Sequence, residues 1–178
     1  MKKILLVVSL VILLCFTISC QNKAEKAELE KFRAQAKVEE QNKASFRYWL
    51  EETDKGNYAA WDEVCSADYV SHFALMSWNL EEHKQANRPF LVAFPDIKHG
   101  IDNMIAKADR VSVRVTLTGT HQGEFISIPP TGKKINYTAM LEGRFSEGKI
   151  VEVWGTVDLL TLMQQLGMEL KPIEEKKK

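Results

Sequence analysis

Between Val111 and Thr118 apolar and polar residues alternate without a break: Val111, Val113, Val115 and Leu117 against Ser112, Arg114, Thr116 and Thr118. Successive side chains on a strand point to opposite faces, so a period of two describes a strand with one buried face and one wet face. Its neighbours read the same way. Residues 98–107 suit a strand closed by a turn at Ala108-Asp109. Residues 134–145, the turn Ser146-Glu147-Gly148-Lys149 and residues 150–157 suit a β-hairpin. Gly119 and Gly123 mark a bend or bulge, and Pro129, Pro130 and Gly132 make a loop. A short helix over Leu159–Leu166 ends at Gly167, a natural left-handed stop.

Upstream the period changes to that of helices. From about Lys43, Phe46, Trp49 and Leu50 recur at helical spacing until Gly56-Asn57 ends the run. Tyr58, Trp61 and Val64, three apart, suggest a second short helix, and residues 67–73 look extended. A third helix fits Leu80–Ala93, with Asn79 as N-cap and Glu82 as its capping-box partner. Pro89 predicts a kink or split inside it, and Pro95 stops it. Helices first and strands afterwards predict an α+β fold, with a curved antiparallel sheet folded around helices and a pocket between them.

The N-terminus reads as an export signal. Lys2 and Lys3 precede an apolar run over residues 4–18, then Ser19, Cys20 and polar residues. A spanning helix needs about 20 apolar residues, so the run is short for the alternative, an uncleaved anchor. Residues 21–42, rich in Lys, Glu, Gln and Ala, form a helix-prone stretch whose sizeable apolar groups are Leu29, Phe32 and Val38. The chain thus divides into a signal (1–19), a charged tether (20–42), one domain (43–170) and a charged tail (171–178). The segment Thr17-Ile18-Ser19-Cys20 resembles the bacterial lipobox, with Thr17 where leucine is usual. That resemblance implies cleavage before Cys20, acylation of Cys20, and a membrane-anchored protein of a bacterial cell envelope facing the periplasm or exterior. More than one acyl chain would make such anchoring stable.

Composition excludes several classes. Lys+Arg and Asp+Glu both number 24, a balance that argues against a nucleic-acid partner. Beyond Cys20 only Cys65 remains, too few for an internal disulfide, and it reads as a small buried apolar residue. The histidines at 72, 83, 99 and 121 have no metal-ligand clustering, so no metal site is expected. There is no Gly-rich phosphate loop and no G-x-S-x-G elbow.

Several local patterns occur in a telling order. Tyr69-Val70-Ser71-His72 follows the second helix, and Ala93-Phe94-Pro95-Asp96-Ile97 closes the third. Gly119-Thr120-His121-Gln122-Gly123-Glu124-Phe125 leads to Ile128-Pro129-Pro130-Thr131-Gly132-Lys133. Then come Arg144, Gly148-Lys149-Ile150-Val151-Glu152, Trp154, Asp158 and Gln165-Leu166-Gly167. From Phe46 to Met168 the chain resembles the SnoaL-like polyketide cyclase, or ester cyclase, family of the nuclear-transport-factor-2-like superfamily. The resemblance implies a cone-shaped curved antiparallel sheet wrapped around about three helices, dimerising through the outer face of the sheet. It also implies acid/base ring closure without metal or organic cofactor, with Asp158 at the position of the family's general acid/base.

The residues themselves leave choices open. On the last strand Glu152, Trp154, Thr156 and Asp158 share one face, opposite Val151, Val153 and Val157, and the mixed polar face suits a cavity. Met140, Glu142 and Arg144 share a face of the preceding strand, and pairing would bring Arg144 near Glu152 or Trp154. Asp158 is either a base or simply the N-cap of the last helix. His72 either assists proton transfer or sits satisfied near the core. Arg144 with Glu142 or Glu152 is a substrate contact or a structural ion pair. His121 lies on an exposed bend or in the pocket. Trp49, with Trp154, Arg144, Glu142, Glu152 and His121, completes the substrate-binding candidates. Three functions follow: an enzyme acting on a small hydrophobic carbonyl compound, a module that binds such a molecule without turnover, or a platform for assembly. An aromatic polyketide substrate fits poorly with export.

Overall fold

The computed structural model describes residues 2–73, 76–169 and 171, with side chains described from Lys23 onward. The side chains of the signal-like segment and of Cys20, and the tail residues 172–178, lie outside the described residues. Among the described residues no helix is long and apolar enough to cross a membrane. The chain divides after Val38 into two units. The described residues of the first are helical, the early part of α1 (Lys2–Asp54), and its Leu29, Phe32 and Val38 are exposed.

The second unit begins at Glu39 and holds the rest of α1, through Asp54. A 3-10 turn (Tyr58–Ala60) leads into α2 (Trp61–Val64), then β1 (Cys65–Phe73) and β2 (Met76–Asn79). Next come α3 (Leu80–Ala93), β3 (Lys98–Lys107) and β4 (Arg110–Thr120). The chain closes with β5 (Lys134–Ser146), β6 (Lys149–Val157) and α4 (Leu159–Leu166). The six strands form one curved, unclosed sheet in the order β2-β1-β6-β5-β4-β3. All neighbours are antiparallel except β1 and β6, which run parallel.

Local chemistry accounts for most boundaries. Asn79 and Glu82 form a complete capping box at the start of α3. α3 is not split: it continues through Pro89 to Ala93. The proline costs one backbone hydrogen bond, and the apolar residues that follow it, Phe90 and Leu91, pack against the core and hold the last turn. The β5–β6 turn carries φ of 50° at Glu147 and 78° at Gly148, the twist that a two-residue hairpin needs. Gly167 stops α4 at φ 103°. The strand β2 has no counterpart among the sequence expectations. Four residues without alternation carry no periodic signal; pairing with β1, from Val70↔Asn79 to Phe73↔Met76, makes them a strand.

The core lies between the helices and the inner face of the sheet. Val111, Val113, Val115 and Leu117 of β4 point inward, as do Ile135, Tyr137, Ala139, Leu141 and Phe145 of β5. They meet Phe46, Trp49 and Leu50 of α1, and Trp61. Phe46 and Trp61 are fully buried; a ring of that kind removes about 200 Å² from water, roughly 5 kcal/mol before the entropy of ordering it. Cys65 is buried, and burial pushes its thiol up to about 12, which leaves it unreactive. The β3–β4 turn is tied to α1, because Ala108 donates its N–H to Glu39 Oε1 at 2.9 Å and accepts from Asn42 Nδ2 at 3.5 Å.

At Gly143 the Phe46 ring of α1 lies directly against the sheet. A Cβ there would stand 2.4 Å from Cε2 of Phe46, a ring with no room to retreat. We expect G143A to lower unfolding free energy by about 1–3 kcal/mol in urea titrations, with α1 rather than the hairpin displaced.

Candidate functional site

The inner face of the sheet and the helices line a cavity of about 280 Å³. Its floor is Leu117, Tyr137, Ala139, Leu141 and Val157 of the sheet. α1 contributes Trp49, Leu50 and Thr53, and α3 contributes His83, Asn87, Phe90 and Leu91. Phe125 from the β4–β5 connection, and Leu159 and Leu162 of α4, complete much of the rest. The lining is therefore apolar and aromatic with a few polar groups, the composition of a small-molecule site.

Two histidines stand on this wall in different surroundings. His83 is packed among the rings of Trp49, Trp61, Phe73 and Trp78, and its Nδ1 shares a 2.8 Å hydrogen bond with the Tyr69 hydroxyl. Burial alone pushes its pKa down to about 4, so it is neutral at pH 7. His99, the second residue of β3, faces Asp54, the last of α1. Asp54 Oδ2 accepts the His99 backbone N–H at 3.0 Å, and Oδ1 lies 2.5 Å from His99 Nδ1. The Tyr137 phenol is held protonated by burial. The indole N–H groups of Trp49 and Trp61 are buried with no hydrogen-bond partner among the described residues. None of the described residues forms a group of three or more His, Cys, Asp or Glu that could hold a metal ion.

Of the candidates read from the sequence, Trp49 alone lines this cavity. The expectation that the mixed polar face of β6 looks into the cavity is corrected: that face is the outer one. A register shift between Arg144 and Phe145 inserts Val151 as an extra residue, so Ile150 and Val153 both point inward, and Val157 lines the cavity. Glu152 and Trp154 share the outer surface with Glu142, Arg144 and His72, where they form one network. Arg144 donates to Glu152 Oε2 from Nε at 3.0 Å and from Nη2 at 2.7 Å. Glu152 Oε1 lies 2.9 Å from His72 Nε2, and Ser77 Oγ lies 2.9 Å from His72 Nδ1. Burial works against the Glu152 charge, but Arg144 and His72 outweigh it and hold the carboxyl below its usual range. His72 stacks on Trp154 at 5.5 Å, Arg110 lies over the Trp154 ring at 5.2 Å, and Arg110 also pairs with Glu142.

Asp158 caps α4. Its Oδ1 accepts the Thr161 N–H at 3.0 Å and its Oδ2 accepts the Thr161 hydroxyl at 2.7 Å. These bonds hold its carboxyl below the usual range, and its side chain does not line the cavity although Val157 and Leu159 on either side do. His121 is neither on an exposed bend nor in the cavity. It is fully buried against Phe94, with Nδ1 3.0 Å from Thr131 Oγ1, and it fastens the loop that follows β4. Sequence reasoning passed over His83, His99 and Asp54. A faint signal was available for His99: alternation along residues 98–107 puts it on the same face as Ile101.

The buried histidine gives a pH dependence with a definite sign. His83 binds a proton far less readily folded than unfolded, so the stability it contributes is full above pH ~6.5 and falls as pH drops toward ~4. We expect a loss of about 3 kcal/mol across that window, read by urea unfolding at stepped pH, and a flatter profile in H83Q, whose amide can still bond Tyr69.

Comparison with known proteins places the fold. The family model described as SnoaL-like polyketide cyclase matches residues 44–166. A protein from Jannaschia sp. CCS1 assigned as a SnoaL-like polyketide cyclase superposes with a TM-score of 0.68 at 22% identity, covering 75% of this chain and 96% of that one. IdmH from Streptomyces antibioticus, assigned as a polyketide cyclase, gives 0.66 at 25% identity, covering 71% and 99%. AclR from Streptomyces galilaeus, assigned as a hydroxylase, gives 0.57 at 29% identity, covering 70% and 87%. Among curated proteins no sequence match was found.

Proposed function

Because the chain belongs to the SnoaL-like polyketide cyclase family, we propose that its cavity holds a small hydrophobic carbonyl compound and that wall residues perform acid/base chemistry of the cyclase or isomerase type on it. The observation that carries this reading is the largely apolar cavity with titratable residues on its wall. Water is displaced from such a space, and a positioned base can then take a proton from carbon next to a carbonyl. The C–H pair moves onto the carbonyl oxygen as an enolate, which either attacks a second carbonyl in the same molecule or takes the proton back at another atom. No oxidant or reductant is consumed. At about 280 Å³ the cavity falls just below the usual span of ligand sites, roughly 300–1,000 Å³, which favours a substrate of one or two rings.

A second reading has one observation in its favour. Asp158, the position implied as the family's acid/base, spends both carboxylate oxygens on Thr161. The same cavity would then hold its ligand without turnover. The two readings separate on a simple ketone. Three of the four tryptophans, Trp49, Trp61 and Trp78, line the cavity, so we expect 2-tetralone to quench tryptophan fluorescence saturably, and A139F, which fills the floor, to abolish the quench. For an enzyme, proton NMR in D2O shows deuterium entering the α-carbons of 2-tetralone faster than in buffer alone; quenching without faster exchange supports the holder.

The proposal also places the protein in a bacterial envelope, anchored through Cys20, and pairs two copies through the outer face of the sheet. The charged start, the apolar run over 4–18 and the lipobox-like Thr17-Ile18-Ser19-Cys20 support the first part. Expressed in a bacterium, the wild type is expected in the detergent-soluble membrane fraction with a mass increased by acyl chains. C20A is expected to lack that mass, and an unmodified wild-type Cys20 would sink the anchor.

A further inference from the structure

We infer that His99, oriented by Asp54, is the group that moves the proton in this cavity, an inference that rests on the acid/base reading above. Three observations meet at this pair. First, His99 lines the cavity, whereas Asp54 does not, so the pair is ordered from the protein outward: carboxylate behind, histidine in front. Second, Asp54 grips one residue with both oxygens, Oδ2 on the His99 backbone N–H at 3.0 Å and Oδ1 on Nδ1 at 2.5 Å. The grip fixes the ring and puts the neutral imidazole's proton on Nδ1. Third, Nε2 has no hydrogen-bond partner among the described residues, so its lone pair is left unclaimed on a residue that lines the cavity.

The arrangement has the logic of a carboxylate-backed histidine base. When Nε2 takes a proton from carbon, the imidazolium forms against a carboxylate already in place, with side chains only 12% and 9% exposed, where the attraction is weakly screened. The C–H bond breaks, an N–H bond forms at Nε2, and the electron pair rests on the carbonyl oxygen. Return of that proton to the product restores the neutral ring, and Asp54 stays ionised throughout. The competing groups are worse placed. His83 has no carboxylate partner and resists protonation in its ring of aromatics. Asp158 is committed to Thr161, and the Tyr137 phenol keeps its proton. In these terms His99 is the catalytic residue and Asp54 a positioning residue.

The test uses the full chain and 2-tetralone in D2O. H99Q, whose amide can still donate to Asp54, is expected to keep the tryptophan quench and lose about 100-fold or more of the exchange rate. D54N is expected to lose about 10-fold or more, with quench retained, because an amide no longer fixes the tautomer. Long-range proton–nitrogen NMR of labelled protein should show neutral His99 protonated at Nδ1 in the wild type, and a mixture of tautomers in D54N. A purely structural clamp would leave exchange per folded molecule unchanged in both variants. The inference is overturned by wild-type exchange that survives in H99Q, by exchange lost in D158N but kept in H99Q, or by a wild-type His99 protonated at Nε2. A wild type that binds 2-tetralone and never exchanges it overturns the acid/base reading itself, which is a separate outcome.

Discussion

The pleat of β4 and β5 sends every second side chain to one side, and on both strands that side is apolar. The register lines the two rows up, Val113 opposite Leu141, Val115 opposite Ala139 and Leu117 opposite Tyr137. A sheet built this way has one surface that must be covered and one that must not. The aromatic residues of α1 and the Trp61 region cover it at one end, and the space they do not fill is the cavity. The same pleat sends Arg110, Glu142, Arg144 and Glu152 outward. A charged group in the middle of this sheet therefore cannot reach the cavity without a shift in register, and chemistry has to be supplied from the margins: the start of β3, the end of α1 and the face of α3.

That division explains what was legible in the sequence. Strong periodicity survived intact: the alternation over 111–118, the hairpin around Glu147-Gly148, the capped helix from Leu80 and the stop at Gly167 all match the structure. What failed to show was anything set by a single inserted residue or by pairing alone. One extra residue, Val151, turns Ile150 inward in its place, and no pattern in residues 149–157 marks it; beyond Glu152 the plain alternation holds, and what it could not tell was which of the two faces meets the cavity. β2 exists because β1 is beside it. The site was less legible than the fold for a related reason. A histidine in a row of histidines looks alike at 72, 83, 99 and 121, while its use depends on neighbours 45 residues away, as with Asp54 and His99.

The four histidines make the point in physical terms. His72 bridges Ser77 and Glu152 on the outer face, His121 is sealed against Phe94, His83 is desolvated among rings, and His99 is backed by a carboxylate. One side-chain type thus serves as a surface linker, a loop fastener, a core filler and a polar wall element. Family membership fixes the scaffold that makes these environments; it does not fix which of them is used, because one fold hosts many sites.

The parallel pairing of β1 with β6 has a consequence for how the chain reaches this state. β1 and β2 join the rest of the sheet only through β6, so the register His72↔Trp154 links residues 82 positions apart. During synthesis, everything from Glu39 to Asn79 is made before any of β3 to β6 exists to receive it. Phe46, Trp49 and Trp61 have no lid until β5 is complete, and the β1–β2 ribbon has no neighbour until the last strand arrives. Contacts this distant in sequence slow the search and make it cooperative. The sheet can therefore be completed only after β6 has been made, late in the synthesis of the domain.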